Sequence, residues 1–252
     1  MDGRVLTMTL FPNNPIMIVD GVSEGVFVSR LNRFAVRVST GKEELYCHLH
    51  DPGRLPWLKP GYRVWFRRVA RRVARKTSCD VVAIEDGAAG VIVLEDTRYA
   101  NMLYRVLAGE LTCKDPMCSP SLQPEVYLMG SRLDFITSCC NGSVAVVEVK
   151  NTNLVVGKEV ALFPDAPSKR AQKHLTTLAL LAKRGYRVQL VFMIVREDAR
   201  VLKPYREIDP VFAKLMCSYK TIVDYVAARL IVRVVDDKLL VYYGGTVPVI
   251  PC

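Results

Sequence analysis

Residues 131–152, SRLDFITSCCNGSVAVVEVKNT, hold two apolar runs on either side of Asn141-Gly142. An Asn-Gly pair between alternating runs is the strongest short-range hairpin signal, so strands are expected over 126–137 and 143–152. Charge is rare in the middle of such strands, yet Asp134 lies on the first and Glu148 and Lys150 on the second. Glu148 and Lys150 share a face by the two-residue period, and strand pairing brings Asp134 to the same end of the hairpin. Two carboxylates suit a hard divalent cation, Mg²⁺ or Mn²⁺, which polarises a phosphodiester. A neighbouring lysine orients water and steadies developing negative charge. Asp134, Glu148 and Lys150 are therefore the candidate catalytic residues, with Asp134 and Glu148 the metal ligands and the carbonyl of Val149 a further one.

This order and spacing resembles the PD-(D/E)xK nucleases, with Leu133 where the name has proline. The competing reading is a salt-bridged Glu148–Lys150 pair on an exposed face. A second acid-x-lysine triplet, Asp236-Asp237-Lys238, reads as a plain turn. Around the hairpin, helical periodicity covers 96–109, with Asp96 as N-cap and Gly109 as stop, and a Pro-rich loop follows at 115–124. A second helix is expected from Ser168 to Arg184 with Leu175, Leu178, Leu181 and Ala182 inward, ended by Gly185. The run YRVQLVFMIV (186–195) is apolar almost throughout, as a central strand covered on both faces should be. A short helix near 209–220 and strands near 229–235 and 238–243 complete an α/β domain with a mixed sheet over 96–252.

The 252-residue chain carries a formal net charge of +10. All of it sits in residues 30–76, where thirteen Lys and Arg, most of them Arg, face three acids; the remainder is balanced. Concentrated arginine makes a binding surface for a polyanion, and Arg30, Arg33, Arg54, Arg67, Arg68, Arg71, Arg72, Arg75 and Lys76 are the candidate contacts. Short strands at 26–30, 33–39, 43–50, 64–69, 80–85 and 90–95 around this charge suggest an OB-like basic β-barrel over 1–95. Phe34, Tyr46, Tyr62, Trp65 and Phe66 lie among the charges, where aromatic rings stack bases or fill a core. Half the residues are apolar, which excludes a disordered chain. No apolar run is long enough to span a membrane, and the N-terminus lacks a secretory pattern, so a cytoplasmic protein without membrane partners is expected.

The eight cysteines show no C-x-x-C spacing. They read as buried thiols, with disulfides as the alternative found in intracellular proteins of hyperthermophiles. The scarcity of glutamine and the abundance of arginine fit such a source. His48 and His50 share a strand face, but no third metal ligand is close in sequence, so they read as polar surface residues.

Several segments, in the same order, resemble the sugar fermentation stimulation protein (SfsA) family: RLNRFAVRV (30–38), HLHDPGRL (48–55), SRLDF (131–135), VEVKNTNLV (147–155) and ALFPDAPSKRAQKHL (161–175). The similarity spans roughly residues 20–220, and the last block is its most specific part. The resemblance, extended by composition to a thermophilic archaeal source, implies an OB-type barrel joined to a nuclease-like α/β domain. It implies largely sequence-independent DNA binding, with RNA as an alternative polyanion, and a hydrolytic site at Asp134, Glu148 and Lys150. It also draws in Arg170, Lys173 and His174 as substrate contacts on the following helix. Three positions depart from the family pattern: Asp51-Pro52-Gly53-Arg54 stands for Asn-Thr-Gly-Arg, Arg170-Ala171 for Arg-Gly, and residues 98–108 supply no acid. The rival expectation is a DNA-binding regulator that keeps the nuclease fold without turnover.

Overall fold

The computed structural model describes residues 14–69, 76–157 and 159–252. A first strand, β1 (Met17–Asp20), precedes β2 (Ser23–Asn32), β3 (Ala35–Ser39), β4 (Glu44–His48), β5 (Arg63–Arg68), β6 (Cys79–Asp86) and β7 (Val91–Leu94). The last six form one sheet in the order β4-β3-β2-β5-β6-β7, and a further β4–β6 pairing closes five of them into a barrel. Closure places Cys47 opposite Cys79 and His48 opposite Asp80, and a Cys47–Cys79 disulfide crosses the same seam. Trp65 and Phe66 fill the barrel core, whereas Phe34 and Tyr46 are 45% and 51% exposed. The aromatic set thus divides between core and surface.

The second part of the chain runs α1 (Arg98–Ala108), a π-helical turn over Gly109–Cys113, β8 (Ser121–Leu128), β9 (Ser131–Ser138), β10 (Val144–Thr152), β11 (Val155–Val156) and β12 (Val160–Phe163). It continues through α2 (Lys169–Ala182), β13 (Arg187–Ile194), β14 (Val201–Pro204), α3 (Pro210–Ser218), β15 (Asp224–Val235) and β16 (Lys238–Val247). Seven strands pair in the order β1-β16-β15-β13-β10-β9-β8, with β10, β13 and β15 parallel and the rest antiparallel. Strand β1 therefore lies in the second domain's sheet, ahead of the barrel strands. Strands β11, β12 and β14 form a small separate sheet. Central β13 is buried on both faces, as its unbroken apolar sequence requires. Along β10, Val146 enters the core beneath α2, while Val147 and Val149 enter the core shared with α1 and the barrel.

Four expectations need correction. The single strand expected over 126–137 is two, β8 and β9, joined at Met129-Gly130; both residues have positive φ, the geometry of a tight hairpin turn that methionine seldom adopts. Strand β8 also begins inside the stretch expected as a Pro-rich loop. Gly109 does not stop the first helix, which runs on into the π turn. Finally, all eight cysteines are paired: Cys47–Cys79, Cys113–Cys139, Cys118–Cys140 and Cys217–Cys252. Adjacent Cys139 and Cys140 sit at the start of the β9–β10 turn and take partners from either end of the 113–118 segment. The loops closed are 22 to 35 residues long, each worth about 3–4 kcal/mol in the chain-entropy account. Among the described residues no helix is long and apolar enough to cross a membrane.

Candidate functional site

Asp134, Glu148 and Lys150 meet in one cleft of about 410 Å³, lined also by Thr97, Arg98 and Asn101 at the start of α1 and by Ser168 and Arg170 at the start of α2. The β9–β10 pairing aligns Val147 with Phe135, so Asp134 lies just beyond the ladder. Its Oδ2 accepts from the backbone N–H of Val149 at 2.9 Å, and its Oδ1 accepts from Asn101 Nδ2 at 3.2 Å. Burial first, then the charge of Glu148, raises the Asp134 carboxyl above its ordinary range, against the hydrogen bond from Val149.

Glu148 is 1% exposed. Its Oε1 is engaged by both Lys150 Nζ and His174 Nδ1. Burial acts to raise this carboxyl, but the His174 hydrogen bond and the Lys150 charge outweigh it and hold Glu148 below the ordinary range. Its second oxygen, Oε2, is buried and has no hydrogen-bond partner. An anionic oxygen left without a donor in a polar cleft is a vacant acceptor of the kind a hard cation can fill. The donor set of Asp134, Glu148 and a backbone carbonyl is all oxygen, so the residues present fit Mg²⁺ or Mn²⁺.

The three candidates on α2 have different fates. His174 is buried against Glu148, Arg170 is exposed at the cleft, and Lys173 Nζ donates to Gly130 O at 2.6 Å on the outer surface. The helix start that places them is capped by Ser168, whose side chain accepts from Ala171 N. Asn101, an amide in a helix without acids, carries no signal in the sequence that marks it as a site residue. The polar residue that α1 presents to Asp134 is this amide.

In the barrel, Arg67 and Arg68 project from β5, with Arg68 paired to Glu43 at 2.6 Å. Arg33 stacks its guanidinium over Phe34 with 5.0 Å to the ring centre, and Arg54 and Lys76 are exposed. Arg30, half-buried, is tied down instead, donating to the carbonyls of Asn32, Arg33, Asp51 and Arg54. Its fork is thereby spent on shaping the loop. Arg71, Arg72 and Arg75 lie outside the described residues.

That loop, Asp51-Pro52-Gly53-Arg54, docks on the second domain beside the cleft. Gly53 N donates to Asp51 Oδ1 at 2.7 Å, Asn153 Nδ2 to Asp51 Oδ2 at 2.8 Å, and Arg54 N to Asp165 Oδ2 at 3.0 Å. The approach is close enough to demand glycine: a Cβ at Gly53 would lie 2.0 Å from Asp165 Oδ2. Glu95 completes the cluster, fully buried, its Oε1 3.4 Å from Asn153 Nδ2. Burial pushes Asp51 up to about 6. It pushes Glu95 well above the carboxylate range, helped by the charges of Asp51 and Asp165 and opposed by Arg196 and Arg30. An acid whose pKa rises on folding stabilises the fold fully below its unfolded pKa, and that contribution fades as pH climbs toward the folded value. Glu95→Gln mimics the protonated form. The variant is expected to gain stability over the parent progressively as pH rises above the ordinary glutamate value of about 4.3 in urea melts. A difference that does not change with pH contradicts this.

Profiles of two known domains match the chain: the SfsA N-terminal OB domain over residues 28–94 and the sugar fermentation stimulation protein RE domain over residues 98–233. A sugar fermentation stimulation protein homolog of Moorella thermoacetica is 40% identical over 194 residues, 75% of this chain and 81% of the relative. A homolog of Pyrobaculum neutrophilum is 35% identical over 212 residues, 82% of this chain and 87% of the relative. The solved structure of Pyrococcus furiosus SfsA in complex with Ca²⁺ matches with a TM-score of 0.80 at 28% identity, covering 94% of this chain and 99% of that one. With a five-stranded barrel, a mixed-sheet α/β domain and these matches along most of its length, the chain belongs to the sugar fermentation stimulation protein family.

Proposed function

We propose that this protein binds DNA through its basic barrel, largely independent of sequence, and cleaves phosphodiesters in the Asp134–Glu148–Lys150 cleft with Mg²⁺ or Mn²⁺. The observation that carries this reading is Glu148: a carboxylate buried in a polar cleft beside Asp134 and Lys150, with one oxygen engaged and the other vacant. Asp134, Glu148 and the carbonyl of Val149 would hold the cation, which supplies Lewis-acid polarisation of the phosphodiester. Asn101 and the Val149 amide fix the Asp134 carboxylate, and His174 fixes that of Glu148. Lys150 orients the attacking water and stabilises the charge that develops on the phosphoryl oxygens. Arg170, exposed at the rim, adds positive charge for the incoming backbone. Ca²⁺ in the Pyrococcus furiosus relative supports a cation-binding chain, since Ca²⁺ also takes oxygen ligands.

A non-catalytic DNA-binding regulator is the second reading, and Asn101 favours it, because an amide stands where a third acid would strengthen the cation site. Cleavage assays with Asp134→Ala and Glu148→Ala separate the two readings: loss of cation-dependent cleavage with DNA binding retained marks the enzyme.

The electrostatic grip has its own test. Changing Arg67, Arg68, Arg71 and Arg72 together to alanine is expected to flatten the slope of log K against log salt by about 3–4 for a DNA duplex. An unchanged slope moves the polyanion site off the barrel.

A further inference from the structure

We propose a second metal site, for a borderline divalent cation of the Zn²⁺ class, at the barrel seam between β4 and β6, built from His48, His50 and Asp80. One ligand atom from each residue lies within 4.8 Å of the others, so a small side-chain adjustment brings all three to a common ion. Sequence spacing could not bring Asp80 in, because it lies thirty residues beyond His50 and arrives only when β6 closes the barrel on β4.

The backbone holds the ligands in place. His48 and Asp80 are register partners across the parallel β4–β6 pairing, and the Cys47–Cys79 disulfide lies one residue before them. His50 follows on the same side as His48, the two rings 4.2 Å apart between centres, and its carbonyl accepts from Thr97 Oγ1 at 3.1 Å. His50 Nε2 approaches Asp80 Oδ1 to 3.3 Å, yet it is buried and makes no hydrogen bond. A buried ring nitrogen beside a carboxylate oxygen, within reach of it but not hydrogen-bonded to it, is an arrangement a shared cation resolves.

The ligand chemistry chooses the metal. Two imidazoles and a carboxylate suit Zn²⁺, Co²⁺ and their neighbours, while Mg²⁺ and Ca²⁺ take oxygen sets. This separates the site from the all-oxygen cleft. The His50 and Asp80 side chains keep 18% and 13% of their surface exposed. Three protein ligands with one open side is the pattern that admits water or an anion as the fourth ligand. Arg98 reaches to 3.9 Å of Asp80 and also lines the cleft, so the site borders the surface over which the cleft opens.

The test uses tag-free full-length protein stripped of metal, carrying Asp134→Asn and Glu148→Gln to silence the cleft. Titration with Co²⁺ is expected to give one equivalent with the intense visible absorption of a four-coordinate site, displaced by Zn²⁺. His50→Asn and, separately, Asp80→Asn should each weaken Co²⁺ binding by more than about tenfold, as loss of a direct ligand must cost at least as much as loss of a supporting contact. A spectrum of six-coordinate Co²⁺ alone, or binding that survives both substitutions, overturns the proposal. Anomalous scattering from a Zn²⁺-soaked crystal of the unsubstituted protein gives an answer independent of variant folding: a peak among the three side chains supports the site, and its absence at saturating Zn²⁺ overturns it.

Discussion

Arg196→Ala is expected to lower the unfolding free energy by about 3–5 kcal/mol, the cost of stranding buried charge by removing one partner. Arg196 leaves the end of β13 and is 1% exposed, the bulkiest fully buried side chain among the described residues. Its guanidinium donates to Asp86 Oδ2 of the barrel at 2.9 Å, to both oxygens of Asp198 at 2.8 and 2.7 Å, and to the carbonyl of Asn153 at 3.2 Å. Burial acts against the charged form, but the two carboxylates outweigh it and keep the guanidinium firmly charged. Alanine leaves Asp86 and Asp198 without their cation and the Asn153 carbonyl without its donor. Because Asp86 belongs to the barrel and Asn153 follows β10, the loss falls on the junction that sets one domain against the other. Urea denaturation of the parent, Arg196→Ala, Asp86→Ala and the double variant measures it. The double variant should lose less than the sum of the two singles. A single-variant loss below about 1 kcal/mol would mean that the junction is held by other contacts.

Glu148→Gln is expected to reduce cation-dependent cleavage at least about a hundredfold while DNA binding persists. Glutamine keeps the volume and one acceptor but removes the charge that pairs with Lys150 and His174 and that draws a cation to Oε2. Since Glu148 sits at 1% exposure inside the second domain, the barrel arginines are untouched and the salt dependence of DNA binding should be unchanged. His174→Gln tests positioning in the same site: it removes the imidazole that fixes Glu148, and it should lower the rate less than Glu148→Gln while changing the shape of the pH–rate profile. Equal rates for Glu148→Gln and the parent would remove Glu148 from the chemistry.

The cleft was legible in the sequence because its members are local. Asn141-Gly142 sets the hairpin, and a period of two puts Glu148 and Lys150 on one face, so a short stretch holds all three candidates. What escaped depends on contacts between distant segments. Asn101 meets Asp134 only after α1 packs beside the hairpin, and an amide carries no signal to a search for acids. Asp80 reaches His48 and His50 through barrel closure. The disulfides were hidden for a related reason: eight cysteines without paired spacing admit 105 connectivities, and only the fold brings Cys139 and Cys140 to Cys113 and Cys118. The β8–β9 hairpin was concealed by Met129, an unusual residue for a left-handed turn position. Arg30 shows the limit of charge counting, since a basic residue in a basic window can spend its fork on neighbouring carbonyls.

The most direct test of the central claim is incubation of the purified protein with supercoiled, linear and single-stranded DNA and with RNA, in Mg²⁺, in Mn²⁺ and in chelator. Cleavage of at least one of these is expected with a divalent cation, none with chelator, and none by Asp134→Asn at equal DNA occupancy. Every substrate left intact in both cations, with DNA bound, would contradict it and leave the barrel's grip as the protein's activity.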